Sequence, residues 1–463
     1  MAGVAKSIVV REPARPERVV GEFELLDAAG VGRRIDAALA ALAGWSNDAP
    51  ARSRALGVWA DAVEGRSAEF VELLTREIGK PLRESRAEVG RAVAIIRYYA
   101  QAAYDPIAEI FPTAGETELR VHRRPLGVVA AICPWNFPVA IPAWKIAPAL
   151  AYGNTVLFKP SSSALAIGHL LHEIAARAMP PGVLQLVPAS SAALDPLLDD
   201  RRVAGVTFTG SVAVGNEIVR RVVSRGAPVQ AEMGGQNASL VLDDADLPFA
   251  ATTIARAAME FAGQKCTATR RAIVSAAVAD RFVPLLVDAV RAVRVDMPEE
   301  EAADLGPVIS SEARSTIEHS LAGAQSRGAR MLTGGRRPRD EGWFIEPALL
   351  ALDDPTDEFA QEETFGPALA VLVARNDDEA LAIANSTRFG LAGAVFATDL
   401  GRATRLAERL DAGLQRVNSP TTGVDFHAPF GGDKASGYGP REQGRAAREF
   451  YTKTRTMLVR KPV

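Results

Sequence analysis

Residues 127–135 read GVVAAICPW, and runs of the same kind return as TVLFKPS (155–161), VLQLVPA (183–189), GVTFTG (205–210) and PVQAEMGG (228–235). Each is short, apolar, rich in Val, Leu, Ile or Phe, and stopped by Pro, Gly or a polar residue. Runs without polar alternation read as strands buried on both faces, the mark of a parallel sheet. Helical stretches separate them: IPAWKIAPALAYG (141–153), ended by Gly153; ALAIGHLLHEIAARA (164–178); and a helix opening at Ser211. Strand–helix alternation of this kind predicts an α/β fold built on a doubly wound, Rossmann-like sheet.

Towards the C-terminus the pattern repeats as a second α/β unit. ASLVLDDADL leads into a helix at about 247–262, and RRAIVSA is a strand. Helices are expected at about 278–293, 311–328, 376–386 and 400–411, with strands near 343–350, 367–374, 392–397 and 413–418. The final EFYTKTRTMLVRK reads as an edge strand guarded by Lys and Arg. Towards the N-terminus the pattern is helical at about 22–45, 50–78 and 82–103, with Pro81 placed as at a helix start. Between the two regions, IFPTAGETELRVHRRPL (110–126) reads as an exposed hairpin, an arm suited to pairing with another subunit.

The chain has 463 residues, enough for two large domains or three ordinary ones. Lys and Arg total 53 against 56 Asp and Glu, a net charge of −3, with no dense basic run, so nucleic acid is not the expected partner. Two cysteines, Cys133 and Cys266, exclude a disulfide framework and fit a reducing compartment. His122, His169, His172, His319 and His427 form no recognisable metal set, and no metal is expected. The N-terminal apolar run, Ile8–Val10, is too short for a signal peptide, and no run reaches membrane-helix length. A soluble, cytoplasmic protein is the expectation.

Four places carry candidate chemistry. Cys266 lies in GQKCTATRR, where Gly263 permits a sharp turn that lets a thiol project from a loop. Glu232 closes an apolar strand in QAEMGGQN, a setting that raises a carboxyl pKa and suits a general base. Asn136, between two prolines in CPWNFP, is a rigid amide able to donate to an oxyanion. Phe208-Thr-Gly210-Ser211 joins a strand to a helix whose N-terminus suits phosphate, although the G-x-G-x-x-G fingerprint is absent. Each has a plain alternative: a buried small thiol, a solvated strand-end acid, a self-satisfied turn, an ordinary helix start.

Taken in order, these blocks resemble the aldehyde dehydrogenase superfamily from about residue 20 to 455. The blocks are PWNFP (134–138), FKPS (158–161), FTGS with Gly215, EMGG (232–235), GQKC (263–266), EETFGP (362–367) and PFGGDKASG (429–437). The resemblance implies a Rossmann-like cofactor domain (1–109 and 127–235, with 435–450 returning to it), an α/β catalytic domain (236–434) and a small β oligomerisation arm (110–126 and 451–463). It implies a homodimer or homotetramer, NAD or NADP as cofactor, and a small-molecule aldehyde as substrate. Cys266 is then the nucleophile, and Asn136 with the Cys266 N–H is the oxyanion donor. Glu232 is the base that hydrolyses a thioester, while Lys145 and Glu442 relay protons. On the cofactor side the resemblance gives Lys159 the adenosine ribose, Gly210, Ser211 and Gly215 the pyrophosphate turn, and Glu363 the nicotinamide ribose. Phe365, Trp135 and Pro134 form the nicotinamide wall.

Two departures stand out. Where many NAD-preferring members carry a glutamate, this chain has Ser162, which removes a like-charge penalty against a 2′-phosphate, so NADP is expected to be accepted. Cys133 replaces the small residue usual before PWN and is expected near the nicotinamide as a bystander. GQKCTATRR and VNSPTTGVDFHAPFGG look most like the α-ketoglutaric semialdehyde dehydrogenase branch, which implies a small anionic semialdehyde. Arg120, Arg124, Arg270 and His427 are candidates for its carboxylate, and Arg271 reads as structural. The rival readings are a broad-specificity aliphatic or aromatic aldehyde dehydrogenase, a CoA-acylating enzyme, a non-catalytic homologue and a cysteine hydrolase. The presence of Glu232, Cys266 and Asn136 together weighs against the CoA-acylating and non-catalytic readings, and no His is placed to serve a cysteine hydrolase.

Overall fold

Strand Val128–Ile132 is buried along its whole length, and its side chains divide by parity. Val128, Ala130 and Ile132 enter one apolar layer, and Val129, Ala131 and Cys133 enter another. Period two with apolar partners on both sides is what a central parallel strand requires. The first layer packs on helices Ala28–Ser46 and Val212–Ser224. The second packs on helices Ala49–Gly65, Leu82–Ala102, Ala140–Ala151 and Leu165–Ala178. The computed structural model describes residues 7–113, 117–190, 193–423 and 425–460.

The sheet built on this strand has the order Gly437–Tyr438, Val229–Glu232, Val203–Thr209, Val128–Ile132, Thr155–Lys159, Leu184–Leu186. Its pairs are parallel except for the edge strand Gly437–Tyr438. From Val128–Ile132 the chain moves to Thr155–Lys159 on one side, and later returns to Val203–Thr209 on the other. The connections therefore diverge at the C-terminal ends of these two neighbours, where a doubly wound sheet opens a ligand crevice.

A second sheet has the order Arg330–Thr333, Ala348–Ala351, Ala368–Ala374, Thr269–Ser275, Asn237–Val241, Ala392–Phe396, Leu414–Val417. Only its first pair is antiparallel. A third sheet joins Thr452–Arg460, Thr117–Pro125 and Ala108–Phe111, and leaves Ile110 and Leu458 exposed. Among the described residues no helix is long and apolar enough to cross a membrane.

The structure corrects several sequence expectations. The segment from residue 22 begins as a strand, since Ser7–Arg11 pairs with Val19–Glu24. The helix starts only at Ala28, where Asp27 caps Gly30 N at 2.7 Å. Strands Gly437–Tyr438 and Arg330–Thr333 were not expected, being too short and too polar to show a pattern. The strand expected at 343–350 is Ala348–Ala351. The hairpin's first strand begins at Ala108, and residues 114–116 and 461–463 of the expected arm lie outside the described residues.

Asn154 ties these parts together from a fully buried position. Its side chain accepts from Gly127 N at 2.9 Å and donates to Ala149 O at 2.9 Å and Tyr451 O at 3.0 Å. It thus joins the start of the central strand, the end of a helix and the root of the C-terminal strand. Asn154→Ala strands buried backbone groups and is expected to destabilise by about 2–3 kcal/mol. An unchanged midpoint in chemical denaturation would contradict this bridging role.

Candidate active site

Two loops leave the switch point of the first sheet. One runs through Pro134, Trp135 and Asn136 after strand Val128–Ile132; the other runs through Gly210 and Ser211 after Val203–Thr209. With Cys266, Glu363 and Phe365 from the second unit they line one cleft of about 470 Å3. The cleft also takes in Thr209, Met233, Gly234, Gln264 and Thr364.

Cys266 reaches the cleft through a broken helix. Helix Leu247–Met259 stops, and Phe261 and Ala262 take left-handed φ values of 54° and 52°. Gly263 follows at φ 66°, where a Cβ would stand 2.1 Å from Gly366 O. Cys266 is partly exposed, and burial pushes its thiol up to about 12, with the negative charges of Glu363 and Glu232 adding to the effect. Backbone N–H groups of Cys266 and Thr267 oppose the shift. Asn136 Nδ2 donates to Gln264 O at 3.0 Å, so the amide points at the turn carrying the cysteine.

Glu232 and Glu442 lie behind this pair, both buried. Glu232 accepts from Gly432 N at 3.1 Å. Burial first, and the charge of Glu442 second, hold its carboxyl well above the usual carboxylate range. Glu442 forms a buried ion pair with Lys145 and accepts from Trp144 Nε1 at 2.8 Å. Lys145 Nζ also donates to Thr207 Oγ1 at 2.9 Å and Phe208 O at 3.1 Å. Trp144, Thr207 and Gln230, whose Oε1 accepts from Thr207 at 3.1 Å, belong to this network and escaped sequence reading. Nothing in their spacing marks them; only the fold stacks them behind Glu232.

The cofactor-side residues divide into two groups. Pro134, Trp135, Gly210, Ser211, Glu363 and Phe365 share the cleft. Trp135 meets Phe365 edge-on at 5.7 Å. Glu363 fills the space a Cβ on Gly234 would occupy, 2.0 Å away, and accepts from Gly235 N at 3.2 Å. Gly215 is buried where its helix presses on Met233, outside the cleft lining. Lys159 ends strand Thr155–Lys159, and among the described residues no carboxylate pairs with its largely buried ammonium. Ser162 is exposed just beyond it, before helix Leu165–Ala178. A partly buried cation with no carboxylate partner among the described residues, a helix start at Ser211 and a cleft at a sheet switch point fit a phosphate-bearing dinucleotide.

The candidates for a substrate carboxylate do not line this cleft. Arg270 is buried and does not face the cleft; its guanidinium donates to Gly366 O at 2.6 Å and to Gly263 O. It braces the cysteine turn against the Phe365 turn. Arg120 and Arg124 lie on the three-stranded sheet, and His427 packs edge-on to Phe426 at 5.9 Å. None of these lines the cleft. Arg271 is structural, donating to Gln236 O, Ile383 O and Ala384 O. Cys133 is buried outside the cleft lining, and burial pushes its thiol up to about 12.

A family model described as "Aldehyde dehydrogenase family" matches residues 2–457. The alpha-ketoglutaric semialdehyde dehydrogenase of Bacillus subtilis is 38% identical, over 98% of this chain and 94% of the relative. The alpha-ketoglutarate semialdehyde dehydrogenase of Haloferax volcanii is 39% identical, over 97% and 94%. The crystal structure of betaine aldehyde dehydrogenase from Staphylococcus aureus in complex with NAD+ superposes with a TM-score of 0.95 at 30% identity, covering 98% of this chain and 91% of that one.

The electrostatics of the thiol generate a pH-dependent expectation. Burial pushes Glu363 up to about 7, so its negative charge is present above that pH and absent below it. A negative neighbour raises a thiol pKa, and removing it lowers that pKa. Glu363→Gln is therefore expected to speed iodoacetamide alkylation of cofactor-free Cys266 by roughly three- to tenfold at pH 8.5 and to leave it nearly unchanged at pH 6. A variant-to-parent ratio that does not vary with pH would refute the coupling.

Proposed function

The chain belongs to the aldehyde dehydrogenase family and is an oxidoreductase acting on aldehydes; on that premise we propose NAD(P)-dependent oxidation of a small anionic semialdehyde to its carboxylic acid, with Cys266 as nucleophile. The observation that carries this reading is the Asn136 amide bonded to the turn of Cys266 in one cleft, with the buried Glu232 carboxylate near enough to raise the thiol's proton affinity. Cys266 adds to the aldehyde carbonyl. The developing oxyanion takes the Asn136 Nδ2 donor and the backbone N–H of Cys266. When bound, the dinucleotide supplies the electron acceptor that converts this adduct to a thioester. Glu232 then takes a proton from water as the thioester is hydrolysed. Its raised affinity for protons suits a general base, and Lys145 with Glu442 gives the proton a buried route onward.

Lys159 and Ser162 would hold the adenosine end of the dinucleotide, Gly210 and Ser211 its pyrophosphate, and Glu363 the nicotinamide ribose. Pro134, Trp135 and Phe365 form an apolar wall for the ring. Ser162 is exposed just beyond Lys159, where a serine in place of a glutamate brings no charge of its own against a 2′-phosphate, which supports use of NADP as well as NAD. The semialdehyde class rests on the names of the relatives. Exposed Ile110 and Leu458 on the three-stranded sheet support an arm that pairs with a second copy.

Two measurements test this. With α-ketoglutaric semialdehyde, Cys266→Ala is expected to form no reduced cofactor. Glu232→Gln is expected to give one burst of about one equivalent per site and then a steady rate down by about 10²–10⁴. Turnover retained in Cys266→Ala, or a full steady rate in Glu232→Gln, would remove the respective role. For the cofactor, Ser162→Glu is expected to lower kcat/KM with NADP by at least about tenfold while changing NAD by less than about threefold. A parent enzyme that cannot use NADP would end the argument from Ser162.

A further inference from the structure

One buried ion pair beside the site takes no part in the chemistry above. Lys80 and Glu88 pair with no exposure of either side chain. Lys80 precedes helix Leu82–Ala102, and Glu88 lies within it. Lys80 Nζ also donates to the backbone oxygen of Asn136 at 2.7 Å. It sits 4.0 Å from the Phe137 ring centre and 4.3 Å from that of Phe261, the first left-handed residue of the kink before Cys266. Glu88 Oε1 accepts from Val139 N at 2.9 Å and Ala140 N at 3.1 Å, capping a helix that has no cap of its own.

The peptide between Asn136 and Phe137 is thereby held at both ends. Its C=O accepts from Lys80, and its N–H donates to Asn136 Oδ1 at 3.1 Å. With Oδ1 tied to that N–H, Nδ2 has one direction left, towards Gln264 O at 3.0 Å and the cysteine turn. We propose that Lys80 is a positioning residue for the oxyanion donor: by locking the Asn136–Phe137 peptide plane, it aims the Asn136 amide at the Cys266 turn. The first turns of the same helix hold the other side of the site, since Glu84 pairs with Lys265 at 2.8 Å, one residue before the cysteine. One helix start therefore sets donor and nucleophile turns against each other. A rigid donor is worth more to a transition state than one that must be ordered as charge develops.

The inference rests on the reading of Asn136 as oxyanion donor, and a double-mutant cycle separates the two. Single-turnover formation of reduced cofactor and the aldehyde KM would be measured for the parent, Lys80→Met, Asn136→Ala and the double variant. Asn136→Ala is expected to slow the single turnover by about 30-fold or more. Lys80→Met is expected to slow it by roughly tenfold or more, with the aldehyde KM within about threefold. In the Asn136→Ala background, Lys80→Met is expected to add less than about twofold, because the group it orients is gone. Two costs that multiply would overturn the positioning role and leave the oxyanion reading intact. No effect of Asn136→Ala would overturn both. If Lys80→Met alone does not fold, Lys80→Met with Glu88→Gln removes the charges together, keeps an oxygen for the helix N–H groups, and runs through the same cycle.

Discussion

Lys145 places a full charge where no water reaches it, and its need for partners organises the centre of the molecule. A buried ammonium persists only with a counter-charge and filled donor sites. Glu442, Thr207 and the carbonyl of Phe208 provide them. Those three groups come from the returning C-terminal segment and a middle strand of the first sheet, while Lys145 comes from the helix after Asn136. Satisfying one cation therefore fixes the C-terminal return against the sheet. It also leaves a second carboxylate, Glu232, in a dry place beside Glu442, where it holds its proton more tightly.

The same solution recurs around the cleft. Loops at strand ends and the last turns of helices lack backbone partners, yet here they lie inside the protein, and their carbonyls need donors. Arg270 serves Gly263 and Gly366, Arg271 serves Gln236, Ile383 and Ala384, and Lys80 serves Asn136. Buried cations thus take the carbonyls that neither the sheet nor a helix can serve around the site. Arg270 braces two turns at once through its terminal nitrogens, Gly263 on one side and Gly366 on the other.

Much of the site was legible in the chain. Cys266 and Asn136 sit in short stretches punctuated by Gly and Pro, which mark the turns that bring them to one cleft, whereas Glu363 was legible only through the family resemblance. The doubly wound sheet was legible because its strands are continuous apolar runs. The hairpin at Ser7–Glu24 was not, since Gly21 interrupts the run and the adjoining segment is Ala-rich. Lys80, Glu84 and Glu88 were missed for a different reason. At i, i+4, i+8 spacing they look like an ordinary solvated helix face. The Asn136–Ala140 segment and Phe261 cover Lys80 and Glu88, Lys265 covers Glu84, and the covering changes a weak surface pair into a structural constraint.

The sequence by itself determined the α/β class, the order of the strands' periodicities, the family and the chemical identity of the candidate nucleophile, donor and base. These depend on local pattern and residue type, which are written along the chain. The tertiary structure alone decided which charges are buried, which carbonyl each cation serves, and which way the Asn136 amide points. Those outcomes depend on contacts between residues up to about three hundred positions apart, such as Lys145 and Glu442. Desolvation, which sets their strength, exists only once the elements have packed.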